Sequence, residues 1–227
     1  ISRERITSAT LLANAPAIED AVRRLPGTSK CSLGVHLNLT EFEPLTPPEQ
    51  RGILAECLDP QGSFAGEHVI RGLKMTSHLR EALFTELSLQ VEKILALGVR
   101  ISHFDSHNHI HTMPSLFPVI KRLQKRFGIR KVRTTWNIYG LNARPLLLKK
   151  RIWHWALRHY YRTSTTSGFT SFGIYYEQAR EGSLNYDLIE VEVHPGHEAY
   201  EAETQLLESN WQERIPFIVR SISYYEV

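Results

Sequence analysis

Four histidines and an aspartate occupy alternate positions of His103-Phe-Asp-Ser-His-Asn-His-Ile-His111. The residues just before, Val99-Arg100-Ile101-Ser102, read as the start of a strand, in which side chains repeat every two residues. Continued, that strand would put His103, Asp105, His107, His109 and His111 on one face. No apolar core accepts such a face, because each polar group buried without a partner costs on the order of 2–7 kcal/mol. The segment therefore has to open onto a polar site at a strand's end, and imidazoles beside a carboxylate suit a metal ion. Histidines that cap turns and pair with backbone carbonyls are the plainer alternative.

The surrounding pattern alternates strands and helices, as in a parallel α/β sheet or barrel. Thr7 to Asn14 is a short buried strand, followed by a helix that Pro16 opens. Cys31 to Leu39 is a second strand, and the Pro- and Gly-rich stretch from Glu43 to Gly66 a long loop. Leu79, Leu83, Leu87, Val91 and Leu95 predict a long amphipathic helix closed by Gly98. After the histidine segment come a helix over 114–127, a strand over 130–134 and a helix over 146–161. That last helix carries a basic stripe at Lys150, His154 and Arg158. Residues 167–176 suggest a strand or a substrate loop, 188–193 a buried strand, 199–209 a helix and 221–225 a closing strand.

A chain of 227 residues, 42% hydrophobic and 22% charged, fits one domain with a full core. A formal charge of +3 does not point to nucleic acid. Cys31 and Cys57 make no disulfide framework, and no run is long and apolar enough to span a bilayer. A cytoplasmic location is the expectation, and self-association into a homo-oligomer stays open.

Asn14, His36, the 103–111 cluster and His194 all fall in or just beyond the C-terminal half of an expected strand. That edge is where parallel α/β folds bind ligands. His36 alone in Gly-Val-His-Leu-Asn-Leu-Thr could be a hydrogen-bonded core residue, but its place beside the other sites favours a ligand. His194 precedes Pro195, which holds it extended, and is an acid/base candidate. There is no HExxH, no GxSxG and no Gly-rich phosphate loop. Metal-assisted hydrolysis is what remains.

Taken in order, Thr7-Ser-Ala-Thr-Leu-Leu-Ala-Asn14, Gly34-Val-His-Leu-Asn-Leu-Thr40 with Pro44-Leu45, the histidine block and Glu192-Val-His-Pro195 resemble the YdjC-like (ChbG/HpnK) carbohydrate deacetylases. The histidine block is the most specific part, and Arg220 to Tyr225 is only weakly similar to the family's closing segment. The resemblance implies a single α/β domain over 1–227, a distorted TIM-like (β/α) barrel that removes N-acetyl groups from an amino sugar, oligosaccharide or glycolipid. It implies one divalent ion, Mg or Zn, bound through His36 and His107. His194 matches the family's proton donor, and Asp105 would orient a ligand from behind. His109, His111, Arg133 and Asn14 are the expected substrate contacts on an N-acetylated carbohydrate.

The family pattern also begins with a strand ending in Asp-Asp-Phe-Gly, which this sequence does not contain. The first strand and helix are therefore expected to be missing from this sequence, which reads as a piece of a longer protein. Two rivals stay open. One is a barrel metal hydrolase of amidohydrolase type, suggested by the HxH of His107 and His109. The other is a non-catalytic carbohydrate-binding relative, with Trp136, Tyr139 and Phe169 available to stack on sugars.

Overall fold

Parallel pairing organises the chain, whose contacts divide into two compact units, Ser8–Val132 and Ile1–Thr7 with Arg133–Val227. The computed structural model describes residues 5–25, 30–139 and 147–227, the side chains of 147–150 excepted.

In Ser8–Val132 the strands β1 (Ser8–Leu11), β2 (Ser32–Leu37), β3 (Ile101–Ser106) and β4 (Lys131–Val132) form a parallel sheet in that order. Helix α1 (Ile18–Arg23) connects β1 to β2. The return from β2 to β3 passes through 3-10 turns at Pro48–Gln50 and Gly52–Cys57, then α2 (Glu67–Gly72) and α3 (Ser77–Ala96). The stretch read as a loop thus carries its own turns, tied by a bridge between Leu58 and Phe64. Helix α4 (Phe117–Phe127) leads to β4, and Gly128 ends it in the left-handed conformation that a residue without Cβ adopts cheaply.

Thr76 caps α3, its hydroxyl accepting the Leu79 amide proton at 3.1 Å. Leu79, Leu83, Leu87, Val91 and Ile94 face the core, whereas Leu95 is 45% exposed. A four-residue spacing drifts about 40° per step against the 3.6-residue turn, so the stripe leaves the core face by its fifth member and Ile94 replaces it. The same drift divides the basic stripe of α5 (Leu147–His159). Its His154 faces inward, hydrogen-bonded to Thr134 Oγ1 at 2.9 Å, while Arg158 is exposed and the Lys150 side chain lies outside the described residues.

The other unit pairs β5 (Gly168–Ser171) with β6 (Ile189–Glu192) in parallel, and Asn137 bridges to Phe169 beside them. Gly168 lets Ile138 pack close, since a Cβ would come within 2.7 Å of Ile138 Cδ1 and push it aside. Helix α6 (Phe172–Arg180) starts directly after β5, so the expected strand or substrate loop over 167–176 is half helix. Phe172, Tyr175 and Ala179 of α6 pack with Leu207 of α7 (Glu201–Glu208) and with Trp211 and Ile215. The expected closing strand is instead a turn in which Glu226 N–H bonds the Ser223 carbonyl. Ser221 to Tyr225 has strand-like composition but pairs with no strand among the described residues.

The result is a mixed α/β fold with parallel sheets. No helix among the described residues is long and apolar enough to cross a membrane. Cys31 and Cys57 are buried free thiols, and burial pushes the Cys57 thiol up to about 12.

Candidate active site

His36 of β2 and Asp105 of β3 are register partners across two parallel strands. Their side chains meet at 2.7 Å, from His36 Nδ1 to Asp105 Oδ1, and Asp105 is fully buried. An ionised carboxylate can only accept, so Nδ1 carries the proton and Nε2 keeps its lone pair for a ligand. Thr10 of β1 donates its hydroxyl to Asp105 Oδ2 at 3.2 Å. Three neighbouring strands thus supply one member each. A bulge between Leu33 and Val35 sets the register that brings His36 opposite Asp105.

His107 lies one residue beyond β3, and its ring stands edge-on to His36 with centroids 5.5 Å apart. Its Nε2 lies 3.2 Å from Glu41 Oε1. That contact occupies Nε2, so His107 can meet a cation through Nε2 only when Glu41 lets go, or through Nδ1 with the contact kept. Glu41 rides on a loop built from below. Asn38 Oδ1 accepts from the amides of Thr40 and Glu41, while Asn14 Nδ2 donates to the carbonyls of Glu41 and Glu43, each at 3.0 Å. Buried Glu86 receives the amides of Leu45 and Thr46 at 3.0 and 2.8 Å. Gln90 ties the Glu86 carboxylate to the backbone of Asn38.

The alternating pattern of the histidine block does not place its members on one face. The strand stops at Ser106, and Asn108 and His109 then turn through left-handed conformations, with φ of 49° and 52°. His103 is buried against Gly34, where a Cβ would come within 2.7 Å of its ring. His111 is 3% exposed and bonded to Ser106 Oγ through Nδ1 at 2.5 Å and through its amide at 2.9 Å. The His109 ring is half-buried, 6.5 Å from that of His111. Asn108 is held by Thr40, to which its side chain donates at 3.2 Å, and by Arg71, which donates to its carbonyl at 2.8 Å.

Of the four residues expected at substrate, Asn14 and His111 are therefore buried in scaffold hydrogen bonds. Arg133, in the other unit, is 7% exposed and clamped by Glu190 and Glu192, each at 2.8 Å, with its guanidinium over Phe169. Phe169 is itself buried. His194 follows β6 with its ring stacked on Tyr200, centroids 4.3 Å apart. Glu203 accepts the His194 amide at 2.9 Å, and its carboxylate stands 3.9 Å from Nδ1, an ion-pair distance rather than a hydrogen bond. Thr10, Glu41, Glu86 and Glu203 were not foreseen. Thr10, Glu41 and Glu86 reach partners distant in the sequence, where local patterning carries no signal, whereas Glu203 is only nine residues from His194.

The donor chemistry suits a divalent cation in part. His36 presents an imidazole with a carboxylate behind it, the usual arrangement of a metal-binding histidine. His107 faces it as a second donor. Among the described residues no group of three or more His, Cys, Asp or Glu side chains is placed to hold a metal ion.

A carbohydrate deacetylase of Geobacillus stearothermophilus is 34% identical over 131 residues, covering 57% of this chain and 49% of the relative. A carbohydrate deacetylase of Brevibacillus brevis is 26% identical over 194 residues, 85% of this chain and 71% of the relative. The chain thus spans about half the length of the first of these relatives. A solved structure from Enterococcus faecalis V583, provisionally described as a cellobiose-phosphate cleavage protein, superimposes with a TM-score of 0.74. It covers 99% of this chain and 90% of that one, and its 18% identity makes this a likeness of fold. The YdjC-like protein family matches residues 1–216, and with the His36, Asp105 and His107 constellation in place the chain belongs to that family.

Proposed function

We propose that this chain carries part of the active site of a metal-dependent hydrolase that removes N-acetyl groups from an amino sugar, oligosaccharide or glycolipid. The observation that carries the reading is the His36–Asp105 pair facing His107 at the ends of parallel strands. Two relatives named carbohydrate deacetylase support the substrate class. Alternating helices and parallel strands are consistent with a distorted TIM-like barrel, which belongs to the same proposal.

His36 and His107 would be two of the ligands of one Mg or Zn ion. When bound, such an ion polarises the acetamide carbonyl and makes a water more acidic. The protein's own contribution begins with Asp105, which holds His36 in one tautomer, and Thr10, which fixes the carboxylate. Asp105 is thus a positioning residue. Hydrolysis breaks the acetyl C–N bond, and the departing nitrogen must take a proton. We assign that delivery to His194, whose Nδ1 the Glu203 carboxylate flanks at 3.9 Å. Glu41 is exposed and His109 half-buried, and we assign both to contacts with sugar hydroxyls.

The test is acetate release from N-acetylglucosamine oligomers, measured with metal content, by the protein carrying this chain. His107→Ala is expected to remove metal and activity together. His194→Ala is expected to keep the metal and lower turnover by roughly 10²–10⁴-fold. Equal metal loss in both variants would defeat this division of roles, and glycan binding without acetate would favour a non-catalytic relative.

A further inference from the structure

Helix α5 is attached through one face and bare on the other. Leu157 is 3% exposed and His154 is bonded to Thr134, so these residues hold the inner side. On the outer side Ile152 is 59% and Trp155 60% exposed, and Arg151, Arg158 and His159 are exposed with them. At about 100° per residue these five side chains fall within an arc of about 120°. The Trp155 and His159 rings stack at 4.7 Å, presenting a flat aromatic platform beside the two arginines. Single exposed apolar residues are ordinary, but a tryptophan and an isoleucine set together among arginines form a patch.

The charge along the helix has one sign. No aspartate or glutamate occurs between Asp105 and Glu177, a stretch that includes the whole of α5. Among the described residues neither Arg151 nor Arg158 has a carboxylate partner. We propose that this face of α5 docks on the surface of an anionic phospholipid bilayer, lying in its plane. Arginines there reach lipid phosphates while their stems cover apolar surface, and tryptophan favours the boundary between headgroups and acyl chains. A second copy of the chain is a poorer occupant, since a two-fold contact would bring Arg151 and Arg158 against their own mates. A soluble polyanion would satisfy the arginines and leave Ile152 in water.

The proposal is independent of the deacetylase reading and is tested without substrate. The intact protein is sedimented with vesicles of phosphatidylcholine alone and of an equimolar mixture with phosphatidylglycerol. Binding to the mixed vesicles only is expected. The double change Ile152→Ser with Trp155→Ser should lower the bound partition about tenfold or more. Arg151→Glu with Arg158→Glu should lower it by at least about fivefold per residue. Circular dichroism and thermal midpoints near those of the parent protein would show that both variants fold. No binding to mixed vesicles at low salt would overturn the proposal. So would binding that ignores the Ile152 and Trp155 changes and is abolished by soluble polyphosphate, which would mark a polyanion site. A dimer dissolved by the same changes, seen by light scattering, would assign the face to a second copy.

Discussion

His36 and His194 both lie at the C-terminal ends of parallel strands with a carboxylate behind the ring, yet the two pairs are built to different tolerances. His36 Nδ1 is 2.7 Å from a fully buried Asp105 that a third strand also holds. His194 Nδ1 is 3.9 Å from Glu203, and its ring is held by stacking on Tyr200. A short charged hydrogen bond in low dielectric fixes tautomer and direction, which a metal-binding group needs. A looser ion pair lets a ring gain and lose a proton without breaking its surroundings, which suits a donor.

The harshest challenge to this contrast concerns Arg133, because it asks whether the 133–227 unit is loose throughout. Arg133 lies between Glu190 and Glu192, so Arg133→Ala leaves two partly buried carboxylates side by side. A loss of about 3–5 kcal/mol in urea unfolding is expected. A loss under about 1 kcal/mol would mean that looseness extends to the β6 scaffold and is no special property of His194.

The matched pair of variants is sharper. Asp105→Asn should weaken metal binding roughly 10–100-fold by titration calorimetry, whereas Glu203→Gln should leave it within about threefold. Equal effects would erase the distinction between the two carboxylates.

Lys121 tests how dry the Ser8–Val132 unit is. It is 3% exposed, its ammonium donates to Gln124 Oε1 at 2.8 Å, and burial pushes its pKa down to about 8. The folded state therefore holds this proton less tightly than the unfolded chain. The resulting cost is fully present below pH 8 and fades as pH rises toward the unfolded value near 10.5. Lys121→Met should raise stability at pH 7 by on the order of 1–2 kcal/mol, and the gap to the parent should close by about pH 10.5. A gap independent of pH would show that water reaches this site.

The smallest expected effect is at the α3 cap. Thr76→Ala should cost about 1 kcal/mol in urea unfolding. No change would mean that the helix is held by its buried face alone.

What the sequence made legible follows the range of each interaction. Helix α3 could be read because its apolar spacing and its closing Gly98 are both local. The strand carrying Asp105 and the importance of His36 could be read from composition, but their hydrogen bond depends on an inter-strand register that includes a bulge. Glu41 reached His107 through a loop that Asn14, Asn38 and Glu86 shape from three separate parts of the chain, and no spacing rule reports that. The period-two reading of the histidine block failed because the strand ends at Ser106. Phe172 to Tyr176 was misjudged for a related reason. Its aromatics favour strands in isolation, but Phe172, Tyr175 and Ala179 share a helical face against Trp211.

The turn after Ser106 also bears on how such a chain can diverge. Asn108 and His109 both carry side chains in a left-handed backbone that costs roughly 1–2 kcal/mol per residue. Glycine or aspartate could take position 108 at little expense, whereas valine or isoleucine would force the turn to rebuild and carry His107 away from His36. Gradual drift is therefore filtered most strictly at a residue that need never touch substrate. An Asn-to-Gly replacement there would keep the turn and lose only the Thr40 hydrogen bond, while a β-branched one would disable the site with every histidine still in the sequence.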